Sequence, residues 1–146
     1  MKKFLDLGNQ PLANSYLKKN QLNQKEKKFR LEVGFNPKNF LVSILNTVPK
    51  EKMFNENYPY KSSESLTMRN QFQKLAVKLK KKFKPKLSLE IGSNDGAFIK
   101  NFKKDEVIGI EPCKNLAKIT KKNGYKTYSE YWDLKLAKKI TLKKKN

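Results

Sequence analysis

A chain of 146 residues with 37% hydrophobic and 11% aromatic content has the length of one ordinary domain and enough apolar surface for a packed core, which excludes wholesale disorder. The net charge of +21 points towards polyanions, yet every basic residue except Arg30 and Arg69 is a lysine. Bidentate recognition of bases and phosphates favours the guanidinium fork, so the expected contact is nonspecific polyanion binding, and the lysine and asparagine excess fits coding bias. A single cysteine, Cys113, and the absence of histidine exclude a disulfide framework and remove the commonest metal ligand and general base. With no apolar run of membrane-spanning length and no signal-peptide core, no membrane partner is expected, and the reducing cytoplasm is the expected compartment.

Residues 1–57 carry turn residues at Gly8-Asn9, Pro11, Gly34, Asn36-Pro37 and Pro49, with short apolar runs such as Leu41 to Leu45. This predicts a small irregular α+β module of short strands and loops. A linking stretch over 58–86 begins with Tyr58-Pro59-Tyr60-Lys61-Ser62-Ser63. The Tyr-Pro step is extended, and Ser62, Ser63 or Ser65 is suited to cap a helix. That helix runs from about Ser65 with Met68, Phe72, Leu75, Ala76 and Leu79 on one stripe, and Pro85 ends it.

From residue 87 the pattern becomes alternating units. Leu87 to Ile91 reads as a strand, Ala97 to Phe102 as a helical turn or two, Val107 to Ile110 as a strand and Leu116 to Lys122 as a helix. Tyr125 to Tyr128 begins a third strand, Leu134 to Ile140 forms a last helix, and Thr141 to Asn146 is a frayed polar tail. Strand and helix in alternation predict a parallel α/β sheet.

Glu90-Ile91-Gly92-Ser93-Asn94-Asp95-Gly96 falls where a strand turns into a helix, and its two glycines permit positive φ and close approach to a ligand. The loop lacks the ending of a phosphate-binding P-loop. Glu111 closes the next apolar run, where a carboxylate can accept from both hydroxyls of a ribose. A glycine loop with acids at the ends of two successive strands describes an S-adenosylmethionine site, with Glu90 balancing the cationic methionyl group and Glu111 on the ribose.

Four segments, Asp6 to Leu17, Tyr58 to Met68, Glu90 to Gly96 and Gly109-Ile110-Glu111-Pro112, occur in the order found in S-adenosylmethionine-dependent sugar C-methyltransferases, which the chain resembles over nearly all its length up to about Ile140. The resemblance implies methylation of a carbon on nucleotide-linked keto-deoxysugars. It also implies a zinc-binding N-terminal module, over 1–57, followed by a Rossmann-like class I methyltransferase domain, of which 87–146 is the first part. On this basis the cofactor contacts are Glu90, Gly92, Ser93, Asn94, Asp95, Gly96, Glu111, Pro112 and Asn115. The residues facing the sugar and stabilising its enolate are Tyr58, Tyr60, Ser62 and Ser63, with Tyr58 the first choice.

Departures from the family pattern shape the expectation. The family's first Cys-x-x-Cys pair is missing and Asn36 and Asn39 stand where the second would be, so no zinc and no metal ligands are expected. The family's histidine base is missing, and the sheet is incomplete. The reading is therefore of a chain truncated at both ends, inactive alone and binding S-adenosylmethionine weakly, with a partner chain supplying the missing half as one option. The readings from other classes are a small lysine-rich nucleic-acid-binding protein and a noncatalytic partner subunit. Cys113 reads as a small buried or loop residue rather than a nucleophile.

Overall fold

The computed structural model describes residues 1–142; the expected polar tail lies, from residue 143 on, outside them. The chain is mixed α/β and divides into two compact units, Met1–Phe54 and the part from Asn55 onward.

The first unit is an antiparallel sheet in the order β1 (Lys2–Pro11), β2 (Lys28–Phe35) and β3 (Val42–Ile44), followed by the single-turn helix α1 (Lys50–Met53). The expectation of short strands only is corrected by β1, ten residues long. It passes through Gly8-Asn9, which reads as a turn in the sequence, by slipping register between Asp6 and Asn9. Such a bulge lets a strand absorb an extra residue without ending. Phe4, Leu5 and Leu7 remain exposed on it. What ties β1 to β2 is polar: Lys3 Nζ donates to Glu32 Oε1 at 2.8 Å and to Asp6 Oδ2 at 3.2 Å, and Arg30 also donates to Asp6. Asn46 closes the set by donating to Glu32 Oε2 at 2.7 Å. The β2–β3 turn is made by Asn36 and Asn39, whose side-chain oxygens accept from the amides of Lys38 and Leu41, the asparagine turns that short polar side chains favour.

The second unit opens with α2 (Leu66–Phe83). Ser65 caps it, its hydroxyl accepting from the Met68 amide at 3.2 Å. Lys84, in the left-handed region at φ 44°, and then Pro85 end it. Ala76 is fully buried on the predicted stripe and Phe72 stacks edge-on against Phe98, whereas Leu75 is exposed. The parallel sheet follows in the order β4 (Ser88–Ile91), β5 (Val107–Ile110) and β6 (Lys126–Tyr128), with α3 (Lys114–Lys122) and α4 (Leu134–Leu142) as its helices. The turn expected over 97–102 is a 3-10 turn at Ile99–Asn101. Residues of β5 point alternately to two cores: Val107 packs with Ala76, Ile99 and Phe102, while Ile108 and Ile110 pack with Leu136 and Ile140. All four β5 residues are buried, as expected of the middle strand of a covered parallel sheet. At the edge strand β4, Leu89 and Ile91 stay exposed on the face they share with Ile108 and Ile110.

Candidate functional site

The carboxyl ends of β4 and β5 turn towards the same loop. Ile110 O accepts from the amides of both Gly92 and Ser93, at 2.8 and 3.0 Å, so β4 hands over to the loop while still held by β5. Gly92 has φ +74° with open space where a Cβ would stand, and Gly96 has φ +88° with a would-be Cβ 2.7 Å from Thr120 Cγ2. The first glycine therefore borders room for a ligand, and the second lets the loop press on α3.

Asn94 and Asp95, expected to face the cofactor, hold the segment expected to face the sugar. Asn94 Oδ1 accepts from the Ser62 amide at 2.9 Å and its Nδ2 donates to Tyr60 O at 3.1 Å. The Asp95 carboxylate accepts from the Ser63 amide at 3.2 Å and from the Ser63 hydroxyl. Asn115, at the start of α3, donates to Tyr58 O at 2.8 Å. The structure thus brings Tyr58, Tyr60, Ser62 and Ser63 onto the glycine loop through their backbones. The Tyr60 side chain lies half in solvent, Ser62 is buried, and the Ser63 hydroxyl is engaged by Asp95. Arg69, missed in the sequence reading, donates to Ser63 O from the first turns of α2; being one of only two arginines was its one signal.

Glu111 is buried, at 4% exposure. Its Oε2 accepts from the Asn94 amide and its Oε1 from the Cys113 amide, both at 2.8 Å. A ribose at this position would share acceptors already in use, through the second lone pair each carboxylate oxygen carries. Pro112 lies between these contacts in the turn into α3. Cys113 is buried, and its thiol is pushed up to about 12 by burial and by its hydrogen bond and proximity to the Glu111 carboxylate. A thiol so protected is no nucleophile.

Glu90 is the opposite case. Burial, with Glu111's charge second, pushes its carboxyl up to about 8 against the lowering effect of the Ile99 amide. Its Oε2 is buried without a hydrogen-bond partner, as are Ser93 Oγ and Asn115 Oδ1. Three buried polar atoms without partners therefore lie around one strand-end loop, where a polar ligand could satisfy them.

Residues 1–54 match the methyltransferase-associated family model described as a "putative zinc binding domain". No curated protein matches the chain. The match corrects the expectation of no zinc: the family model that these residues resemble is one described as zinc-binding. The side chains present do not compose a thiolate or imidazole site, since the chain has no histidine and its one cysteine is Cys113. Asp6 and Glu32 are taken up by Lys3 and Arg30, and among the described residues no group of three or more potential ligands could hold a metal ion. Among the same residues no helix is long and apolar enough to cross a membrane.

Proposed function

We propose that the second unit is an S-adenosylmethionine-binding Rossmann-like domain and that the chain works in methylation of a carbon on nucleotide-linked keto-deoxysugars. The observation that carries this reading is the meeting, at the ends of two parallel strands, of a glycine loop with an open side and three buried polar atoms without partners, Glu90 Oε2, Ser93 Oγ and Asn115 Oδ1. Ligands of open α/β sheets bind at such strand ends. The methyltransferase-associated family match over 1–54 supports the same direction from the other unit.

The cofactor supplies a methyl group on a sulfonium, which a carbanion can accept. In this chain Gly92 leaves room for the ligand backbone, and Glu90 lies where a cationic amino-acid end would pair. Glu111 orders the loop and offers its remaining lone pairs to ribose hydroxyls. The 58–63 segment, fastened by Asn94, Asp95 and Asn115, forms the wall against which a sugar would lie, with the Tyr58 and Tyr60 hydroxyls as donors to a developing enolate. Removing the proton next to a ketone needs a base. Among the acids here Glu111 is committed to backbone amides, Asp95 to Ser63 and Glu90 to the cationic end of the ligand, so turnover by this chain alone is expected to be slow, with a missing base costing about 10²–10⁴ in rate.

The reading is tested by calorimetric titration of the full chain with S-adenosylmethionine, ATP and a random oligonucleotide. Saturable binding of S-adenosylmethionine that survives 0.5 M salt supports it. Binding of the oligonucleotide alone would overturn it in favour of the lysine-rich nucleic-acid binder.

A further inference from the structure

A partly buried carboxyl on β4, Glu90, and a buried one at the end of β5, Glu111, have unequal surroundings. Glu111 receives the amides of Asn94 and Cys113 and hydrogen-bonds the Cys113 thiol. Donors of that kind stabilise an anion. Glu90 has the Ile99 amide and a second oxygen without a partner. Among the described residues no ion pair reaches either acid. Opposite Glu90 in the ladder stands Gly109, which presents no side chain. The hydroxyl of Ser93, only 2% exposed and itself without a partner, lies over Gly109, 2.7 Å from where a Cβ there would be. Ser93 Oγ, with Thr127 Oγ1, covers the place a Gly109 side chain would take, and the unpartnered carboxyl oxygen belongs to Glu90, Gly109's partner in the ladder.

A carboxyl drawn out of water with one oxygen lacking any donor favours the acid form, so Glu90, whose Oε2 is buried and unpartnered, holds the proton. We propose that this site takes up a cationic ligand in exchange for a proton, Glu90 being a neutral carboxylic acid in the free chain and a carboxylate in the complex. The O–H bond of Glu90 breaks, the proton leaves to solvent, and the new carboxylate pairs with the ligand's ammonium or sulfonium, so charge balances without another reactant. Burial favours the acid most, the Glu111 charge adds to it and the Ile99 amide favours the anion, leaving the Glu90 carboxyl pushed up to about 8. The inference rests on the S-adenosylmethionine reading and adds proton coupling to it.

The experiment is calorimetry of S-adenosylmethionine binding to the full chain at pH 7 in two buffers of different ionisation enthalpy, for wild type and Glu90→Gln. The ligand's own amino group titrates at about 8, and subtracting the variant removes its contribution. The expected difference is about one proton released per ligand in wild type relative to the variant. The ratio of the two affinities should rise about tenfold per pH unit up to pH 8. Equal proton counts, with binding intact, overturn the proton exchange and leave the cofactor reading standing; absence of binding to the wild type overturns both. A measurement free of any substitution is the carboxyl carbon resonance of Glu90 in labelled wild type at pH 7. Ligand should move it from the acid to the carboxylate position, and a carboxylate position before ligand is added would contradict the proposal.

Discussion

Asn94 holds a left-handed backbone at φ 50° and uses both ends of its side chain, accepting from Ser62 and Asp95 and donating to Tyr60, while its own amide goes to Glu111. Asparagine tolerates that conformation better than most residues. Asn94→Ala loses the side-chain bonds and adds backbone strain, so it should lower stability by about 2 kcal/mol in urea unfolding, with Asn94→Gly recovering part by relieving the strain. A stability change under a few tenths for the alanine variant would contradict the role given to Asn94. Glu90 makes a pH prediction of definite sign. Its folded value is raised from 4.5 to about 8, so the folded chain binds more protons than the unfolded one between those values, and stability should fall as pH rises from 4.5 to 8, then level off. Glu90→Gln should flatten that fall, as read from urea midpoints across the range. Sequence spacing could place Asn94 and Asp95 on the loop but not say what they touch. Their partners are some thirty residues away, and no periodicity reports a contact between a loop and an extended segment.

At the scale of elements, the parallel half was legible because its apolar runs are short, bounded and alternate with helical stretches, and β5 occupies the predicted Val107–Ile110. The antiparallel half was not. In β1 the apolar Phe4, Leu5 and Leu7 stay exposed, and the strand continues through a glycine and up to a proline, so neither alternation nor punctuation marks its ends. Pairing with β2 through charged side chains holds it instead, and Asp6, lowered to about 2 chiefly by the Gly8 amide, should lose its part of that pairing only as pH falls from 3.8 through 2. Two substitutions test the elements of the second unit. Ser65→Ala removes the α2 cap and should cost about 1 kcal/mol. Gly109→Ala puts a methyl 2.7 Å from Ser93 Oγ and should cost about 1–3 kcal/mol by overpacking. Both are read by urea unfolding, and a neutral Gly109→Ala would mean that Ser93 does not sit over β5.

For the whole molecule, the charge of +21 needs no single partner to explain it. Several lysines cover aromatic rings: Lys80 lies over Phe102 and donates to Asn101 O, Lys104 lies over Tyr125 and Lys139 over Tyr128. Their ammonium groups sit over the ring faces, where the negative face of each ring attracts the cation. Binding to nucleic acid should therefore be indifferent to sequence and fall steeply with salt, which filter binding at two salt concentrations with two unrelated oligonucleotides would check. The central claim is that the ends of β4 and β5 form a cofactor site. Its most direct test is amide-resonance mapping of the labelled full chain on addition of S-adenosylmethionine. The account predicts shifts concentrated at Gly92–Gly96, Glu111–Asn115 and Tyr58–Ser63. Shifts confined to surface lysines or to residues 1–54, or none at saturating ligand, would contradict it.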